Sequence, residues 1–289
     1  MTAMLILGLG YTGSGLAARL RARGWQVRAT RRAAGAGMLA FDDEAGVRAA
    51  IASATHILSS VPPDAEGHDP VLTRYGADLA QAPARWIGYL SSTGVYGDIG
   101  GAWVDESAAI GTGRRSARAE ADVAWGALRP DVRRFRLPGI YGPGRSTFER
   151  LADGRAQRID LPGQIFSRIH VDDIVDALIA SFTHGPAGAY NISDDRPASQ
   201  NAVIEEACRL LRRAPPPLLS LDAAGLSPMA RGFYAENRRV ANGKARRLLG
   251  WVPRFADYRL GLADCLARSA TNSPASDSSP PAAASIDQR

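Results

Sequence analysis

Lysine is almost missing from this chain. Of its 35 basic residues only Lys244 is a lysine, and the rest are arginines. A guanidinium does not serve as an acid or base under ordinary conditions, so chemistry that needs a lysine amine has one position to draw on. Cysteine is nearly as scarce. Cys208 and Cys265 are the only two in 289 residues; they lie far apart and away from histidine clusters. That excludes a disulfide framework and a cysteine zinc site, and suits a reducing cytoplasm. His56, His68, His170 and His184 have no ligand spacing either, so no metal is expected. No apolar run approaches the ~20 residues of a membrane-spanning helix. The chain opens on a core-like strand rather than a charged segment and leader, so no secretory signal is expected. The net charge of +6 comes from scattered arginines, often beside acids. Without a basic stripe interleaved with aromatics, a nucleic-acid partner is not expected; a phosphate-rich small molecule is.

What is present begins at residues 4–13, Met-Leu-Ile-Leu-Gly-Leu-Gly-Tyr-Thr-Gly. The short apolar run to Leu7 reads as a strand buried in a parallel sheet. Gly8, Gly10 and Gly13 follow in G-x-G-x-x-G spacing. Gly8 lets the chain turn off the strand, Gly10 lets backbone approach a pyrophosphate, and Gly13 lets the next helix lie close on the strand. That helix begins near Thr12, and its unpaired amides and dipole attract phosphate, with Tyr11 beside them a further cofactor-binding candidate. A helix over 14–23 with Gly24 as its C-cap and a second strand over 26–30 complete the context that a dinucleotide site requires.

The second strand runs into Thr30-Arg31-Arg32. An acid there would hold the 2′-hydroxyl of NAD; arginines instead welcome the 2′-phosphate of NADP. NADP is therefore the expected cofactor, with NAD the alternative. Asp42 or Asp43, after a strand at 38–41, falls near the adenine edge or caps the next helix. Strands over 56–61, 86–90 and 134–137 alternate with helices over 47–54, 69–79 and 114–128. That alternation is the pattern of an α/β doubly wound parallel sheet. Ser60 and Val61, before Pro62-Pro63, leave a strand's C-terminal edge open where ligands sit in such sheets. A helix opened by residues 169–174, a strand over 189–192, and helices over 199–211, 226–235, 244–249 and 257–267 follow. The expected organisation is a core over 1–145, a mixed region over 146–268 with the last core elements and a small C-terminal α/β lobe, and a disordered tail over 269–289.

These motifs resemble the extended short-chain dehydrogenase/reductase superfamily, the NAD-dependent epimerase/dehydratase group. The glycine loop carries the resemblance together with Ser91-Ser92-Thr93-Gly94-Val95-Tyr96-Gly97, residues 136–144, and His170-Val171-Asp172-Asp173. So does the ending 238–242 with 248–253. Within the group the chain is most similar to an atypical bacterial branch of YeeZ-like oxidoreductases. The resemblance implies a Rossmann domain holding NAD(P), a lobe closing over a small-molecule substrate, often a nucleotide sugar, and a homodimer as the common assembly. It implies that Ser92, with Thr93 beside it, hydrogen-bonds the reacting oxygen, and that Pro138, Ile140 and Tyr141 pass the nicotinamide carboxamide. His170 to Asp173 is expected to start a helix rather than to act as a catalytic pair.

One departure stands out. Members of the group use Tyr-x-x-x-Lys as acid/base and pKa-lowering cation. Superposed on Glu120, those positions fall here at Thr112 and Ser116, and neither can do that work. Arg114, Arg115 or Arg118 can supply charge but not a proton. Tyr96 is the nearest phenol; in the group this residue packs or touches substrate, and here it is also the candidate replacement acid. Two functions remain open at this point. One is an NAD(P)-dependent oxidoreductase or epimerase with altered proton chemistry; the other is a dinucleotide-binding sensor or scaffold that has lost the reaction.

Overall fold

The computed structural model describes residues 2–272 other than 34, 36, 112, 114 and 115. Thr112, Arg114, Arg115 and residues 273–289 of the expected tail therefore lie outside the described residues. In chain order the first elements are β1 (Ala3–Leu7), α1 (Tyr11–Arg21), β2 (Gln26–Arg31), β3 (Leu39–Ala40), α2 (Glu44–Ser53), β4 (His56–Ser59), α3 (Pro70–Ala80) and β5 (Trp86–Ser92). A 3-10 turn over Thr93–Tyr96 leads to β6 (Trp103–Val104), α4 (Ser116–Leu128), β7 (Val132–Leu137), β8 (Gly139–Tyr141) and α5 (Thr147–Ala152). Then come β9 (Arg158–Ile159), β10 (Arg168–His170), α6 (Val171–Ala180), β11 (Gly188–Asn191) and α7 (Gln200–Leu210). The chain continues through β12 (Leu218–Leu219), α8 (Pro228–Tyr234), β13 (Arg239–Val240), α9 (Gly243–Leu249) and α10 (Tyr258–Asn272).

A seven-stranded sheet in the order β11-β7-β5-β4-β1-β2-β3 forms the centre, with every pair parallel. The expected doubly wound α/β fold is present. Strands β1, β4 and β5 are buried along almost their whole length, as strands covered on both faces must be. One face packs on α1 and α6 through Leu16, Leu20, Ile174, Val175 and Leu178. The other packs on α2, α3 and α4 through Val47, Ile51, Val71, Leu79 and Trp125. Asp69 ties that second layer together: one carboxylate oxygen caps α3 at Val71 and Leu72, and the other accepts Trp125 Nε1–H at 2.8 Å.

Strand order reverses between β1 and β4, so a crevice opens at their C-terminal ends. Beyond the sheet, three short parallel pairs hold the remaining segments: β8 with β10, β9 with β12 and β6 with β13. A smaller core contains Phe148, Leu151, Ile204, Tyr258 and Leu262, and the β6/β13 pair packs in a separate cluster with Val95 and Tyr96. Several boundaries move from the sequence expectation. Helix α6, expected to end near Gly185, stops at Ala180, α1 is capped by Ala22 rather than Gly24, and α10 runs on to Asn272, so residues 269–272 are helix rather than disordered tail. The α10 extension is polar, and Ser269 holds it by donating to the Cys265 carbonyl. No helix among the described residues is long and apolar enough to cross a membrane.

Candidate active site

The loop between β1 and α1 is fixed by its own backbone. Gly8 N–H donates to Thr30 Oγ1 at 2.9 Å, Leu9 N–H to the Thr30 carbonyl at 2.8 Å, and Gly10 N–H to the Gly8 carbonyl at 2.9 Å. Gly8 has φ +85°, and a Cβ there would lie 2.7 Å from Val61 Cγ2. The Ser60 hydroxyl donates to the Gly8 carbonyl. Ser60 and Val61 thus sit against the glycine turn, brought there by the pairing of β1 with β4. A Cβ on Gly13 would meet Ile6 Cγ2 at 3.1 Å, so that glycine serves helix–strand packing. Gly10 differs from both, because a Cβ there would meet nothing within 4 Å. Its space belongs to no part of the protein. Gly10 is also the N-cap of α1, which has no capping side chain and no acid in its first turn. The amides of Tyr11, Thr12 and Gly13 therefore open onto that space, a geometry suited to an anion. The Tyr11 hydroxyl donates to the Pro143 carbonyl at 2.9 Å, and Arg145 lies over the Tyr11 ring.

Arg31 ends β2, and it and Arg32 are exposed. No carboxylate pairs with either among the described residues. Asp42 is exposed beside them, whereas Asp43 is the helix cap, accepting Gly46 N–H at 3.1 Å.

At the end of β5, consecutive residues do different work. Ser91 points inward and donates to Asp122 at 2.6 Å. Ser92 faces a cavity and accepts Gly94 N–H at 3.1 Å, which leaves its own proton to donate. Thr93 lines the same cavity. Tyr96 does not line it; its position fits the packing reading rather than that of a replacement acid. Its ring is fully buried. The hydroxyl donates to Asn191 Oδ1 at 2.7 Å and accepts from Arg136 Nη1 at 2.9 Å, and burial raises its pKa against the opposing pull of Arg136. The 3-10 turn after Ser92 rotates this side chain into the protein. There it joins a network that spacing did not reveal, in which buried Asp122 accepts from Ser91, Arg134 and Arg136.

The cavity, about 940 Å³, lies between the C-terminal ends of β5 and β7 and the second core. Pro138, Ile140 and Tyr141 line it. The Tyr141 hydroxyl is buried against Gly261 of α10 without a hydrogen-bond partner, and burial raises its pKa. Arg118, Arg145, Arg150, Arg155, Arg168 and Arg238 line the cavity against only two acids, Glu149 and Glu236. Arg118 Nη2 donates to the Leu90 carbonyl at 3.1 Å, so α4 brings a cation, not a phenol, toward this wall. Ser116 begins α4.

His170 to Asp173 behaves as a helix start. His170 Nδ1 accepts Asp172 N–H, and buried Asp173 accepts Arg254 N–H at 2.7 Å and Phe255 N–H at 3.1 Å. Burial lowers His170 to about 4 and raises Asp173 to about 6. The fold also gathers His170, Asp172 and Asp264 within 4.8 Å, a grouping invisible in linear spacing. Arg268 pairs with both carboxylates. The two cysteines are free and buried.

No protein-family model matches the chain. A functionally unknown conserved protein from Silicibacter pomeroyi DSS is 39% identical over 93% of this chain and 99% of that one, with a TM-score of 0.83. Relatedness at that level shows that these two chains belong to one family. The fold is the one found in NAD-dependent epimerases. Among members of that fold, human epimerase family protein SDR39U1 (isoform 2), solved with NADPH, is 18% identical over 91% of this chain and 99% of its own, with a TM-score of 0.75. A curated relative from Streptomyces sp, a 3-diazoavenalumate denitrifying reductase, is 30% identical over 139 residues. That match takes in 44% of this chain and 45% of the relative, so it spans less than half of either.

Proposed function

We propose that this chain is a short-chain dehydrogenase/reductase, an NAD(P)-dependent oxidoreductase or epimerase acting on a small carbonyl or sugar-like substrate held in the arginine-lined cavity. The observation that carries it is the adjacency of two sites on one sheet edge. Space nothing in the protein fills lies before the uncapped N-terminus of α1, and the cavity opens at Ser92, Thr93 and Pro138. The residues fit a dinucleotide: Gly10 leaves room for a pyrophosphate, and the amides of Tyr11, Thr12 and Gly13 would hold it. When bound, the nicotinamide supplies or accepts a hydride. Arg31 and Arg32, exposed and without carboxylate partners, favour the 2′-phosphate of NADP over NAD. Asp42, exposed in the same region, would lie toward the adenine.

Ser92 and Thr93 then orient the substrate and hydrogen-bond its reacting oxygen as charge develops there. With Tyr96 locked in the interior, no phenol–ammonium pair backs them. The proton reaches that oxygen from solvent through one of these hydroxyls. The reductase among the relatives supports a reductive direction.

A second reading, a dinucleotide-binding sensor, is favoured by the placement of Tyr96 away from the cavity. Nicotinamide absorbance with a panel of aldehydes, ketones and nucleotide sugars separates the two. Turnover of NADPH that disappears in the double variant Ser92→Ala, Thr93→Val is the expected result. Tight dinucleotide binding with no turnover of any substrate would establish the sensor instead.

A further inference from the structure

Arg168 is a buried cation with no ion-pair partner among the described residues. Its side chain lines the cavity from β10 while the residue is only 8% exposed. Nη1 donates to the Phe166 and Ala198 carbonyls at 2.9 and 2.8 Å, and Nη2 to Gln200 Oε1 at 3.1 Å. All three acceptors are neutral, and no carboxylate forms an ion pair with Arg168 among the described residues. The acid that acts on it most is Asp194, itself buried, whose backbone N–H donates to the Arg168 carbonyl at 2.8 Å and whose carboxyl burial raises. A buried guanidinium without an ion-pair partner is costly, and Arg168 lines a space able to receive a ligand.

The neighbours specify the ligand further. Arg150, on α5, lines the same cavity and has no carboxylate partner among the described residues. The cavity's own acids are engaged: Glu149 accepts from Ser146, and Glu236 pairs with Arg238. Arg150 and Arg168 both act on the phenol of Tyr234. The Tyr234 ring stands edge-on to Phe166 at 5.6 Å, and Phe233, 46% exposed, borders the cavity beside it. Helix α8 thus adds two consecutive aromatic rings beside two guanidiniums.

We propose that this end of the cavity is a subsite for an aromatic carboxylate, the carboxylate taken by Arg168 and Arg150 and the ring lying among Phe166, Phe233 and Tyr234. The proposal rests on the reading that the cavity receives the substrate, and it narrows that substrate to a planar acid. Guanidinium–carboxylate bonds supply orientation, and edge-to-face ring contacts supply selectivity. A phosphate would satisfy the same two arginines, but it gives the aromatic wall no role.

The test is calorimetric titration of the full chain, without dinucleotide, with phenylacetate, phenylacetamide, cyclohexylacetate and UDP. Phenylacetate is expected to bind, and the neutral amide to bind about tenfold more weakly or not at all, as loss of a charge-assisted pair requires. Arg150→Gln is expected to weaken phenylacetate about tenfold. Phe233→Ala is expected to weaken phenylacetate more than cyclohexylacetate. UDP binding that depends on Arg150 while phenylacetate does not bind would overturn the proposal in favour of a phosphate. Phenylacetate binding indifferent to Arg150→Gln would also overturn it. The melting shift produced by NADPH, measured on the same samples, reports separately on the dinucleotide reading. If that shift is present and phenylacetate fails to bind, only the subsite falls.

Discussion

The nucleotide-facing edge and the substrate-facing wall of this protein are built on different length scales. The sheet strands that frame the glycine loop run four to seven residues in β1, β2, β4, β5 and β7. The strands beyond the sheet that line the cavity are shorter: β8 and β10 have three residues each, and β13, paired with β6, has two. A long buried strand is specified by a run of apolar residues, and many contacts share the load. A two-residue pair is specified by individual side-chain bonds. Asn237 is one such bond-maker. Its side chain accepts from Ile165 N–H and donates to the Gly163 carbonyl, while its amide donates to Asp98.

That contrast can be broken first at the seam between the two parts. Asp122 to Ala would strand Arg136 in the interior, and a loss of about 3–5 kcal/mol is expected, as for removing one partner of a buried pair. Denaturant unfolding checks it. Unaltered stability would mean that the buried network is not holding β5, β7 and α4 together. A smaller loss, about 2–3 kcal/mol, is expected for Gly8→Ala, because the new Cβ meets Val61 and the φ of +85° disfavours it. Asn237→Ala should cost only about 1 kcal/mol, the worth of ordinary hydrogen bonds, yet disturb the cavity wall while leaving NADPH affinity unchanged. Equal damage to both sites would erase the distinction between them.

The effect that vanishes at neutral pH is a pH dependence. His56 lies in an aromatic cluster with Trp25, Trp86 and Phe182, and burial, with Arg85 adding to it, lowers its pKa to about 4. The folded protein keeps His56 neutral where the unfolded chain protonates it. Its contribution is therefore complete above about 6.5 and is lost as pH falls toward 4. His170 acts in the same sense, while Asp173 and Asp194, raised by burial, act in the opposite sense. The clean observable is a difference: His56→Gln should lose less stability than the parent between pH 6.5 and 4, by about one proton in the linkage slope.

The sheet was legible because its signals are local. Met4 to Leu7, the glycine spacing and the alternation of apolar runs with helices each sit within a dozen residues. Ser60 and Val61 were legible for the same reason, since a strand ending in small residues marks an open edge. Asp122, Arg136 and Arg168 were not, because their partners lie on other elements and no spacing encodes a pairing across a sheet. The direction of Tyr96 was not legible either, because nearness to Ser92 in sequence says nothing about where a 3-10 turn points the next side chain. The short pairs beyond residue 145 carry too few residues for a periodic signal, and α5 hides behind a Pro-Gly loop whose only mark is the Ser146–Glu149 capping box.

The account depends most on Gly10, the glycine whose missing Cβ the protein itself does not need. Melting of Gly10→Val should be measured with and without NADPH beside the parent chain. Unchanged melting of the free variant, with the NADPH-induced rise present in the parent and abolished in the variant, is the predicted result. A variant that is stabilised by NADPH as strongly as the parent would show that the dinucleotide, if it binds, does not lie at this loop.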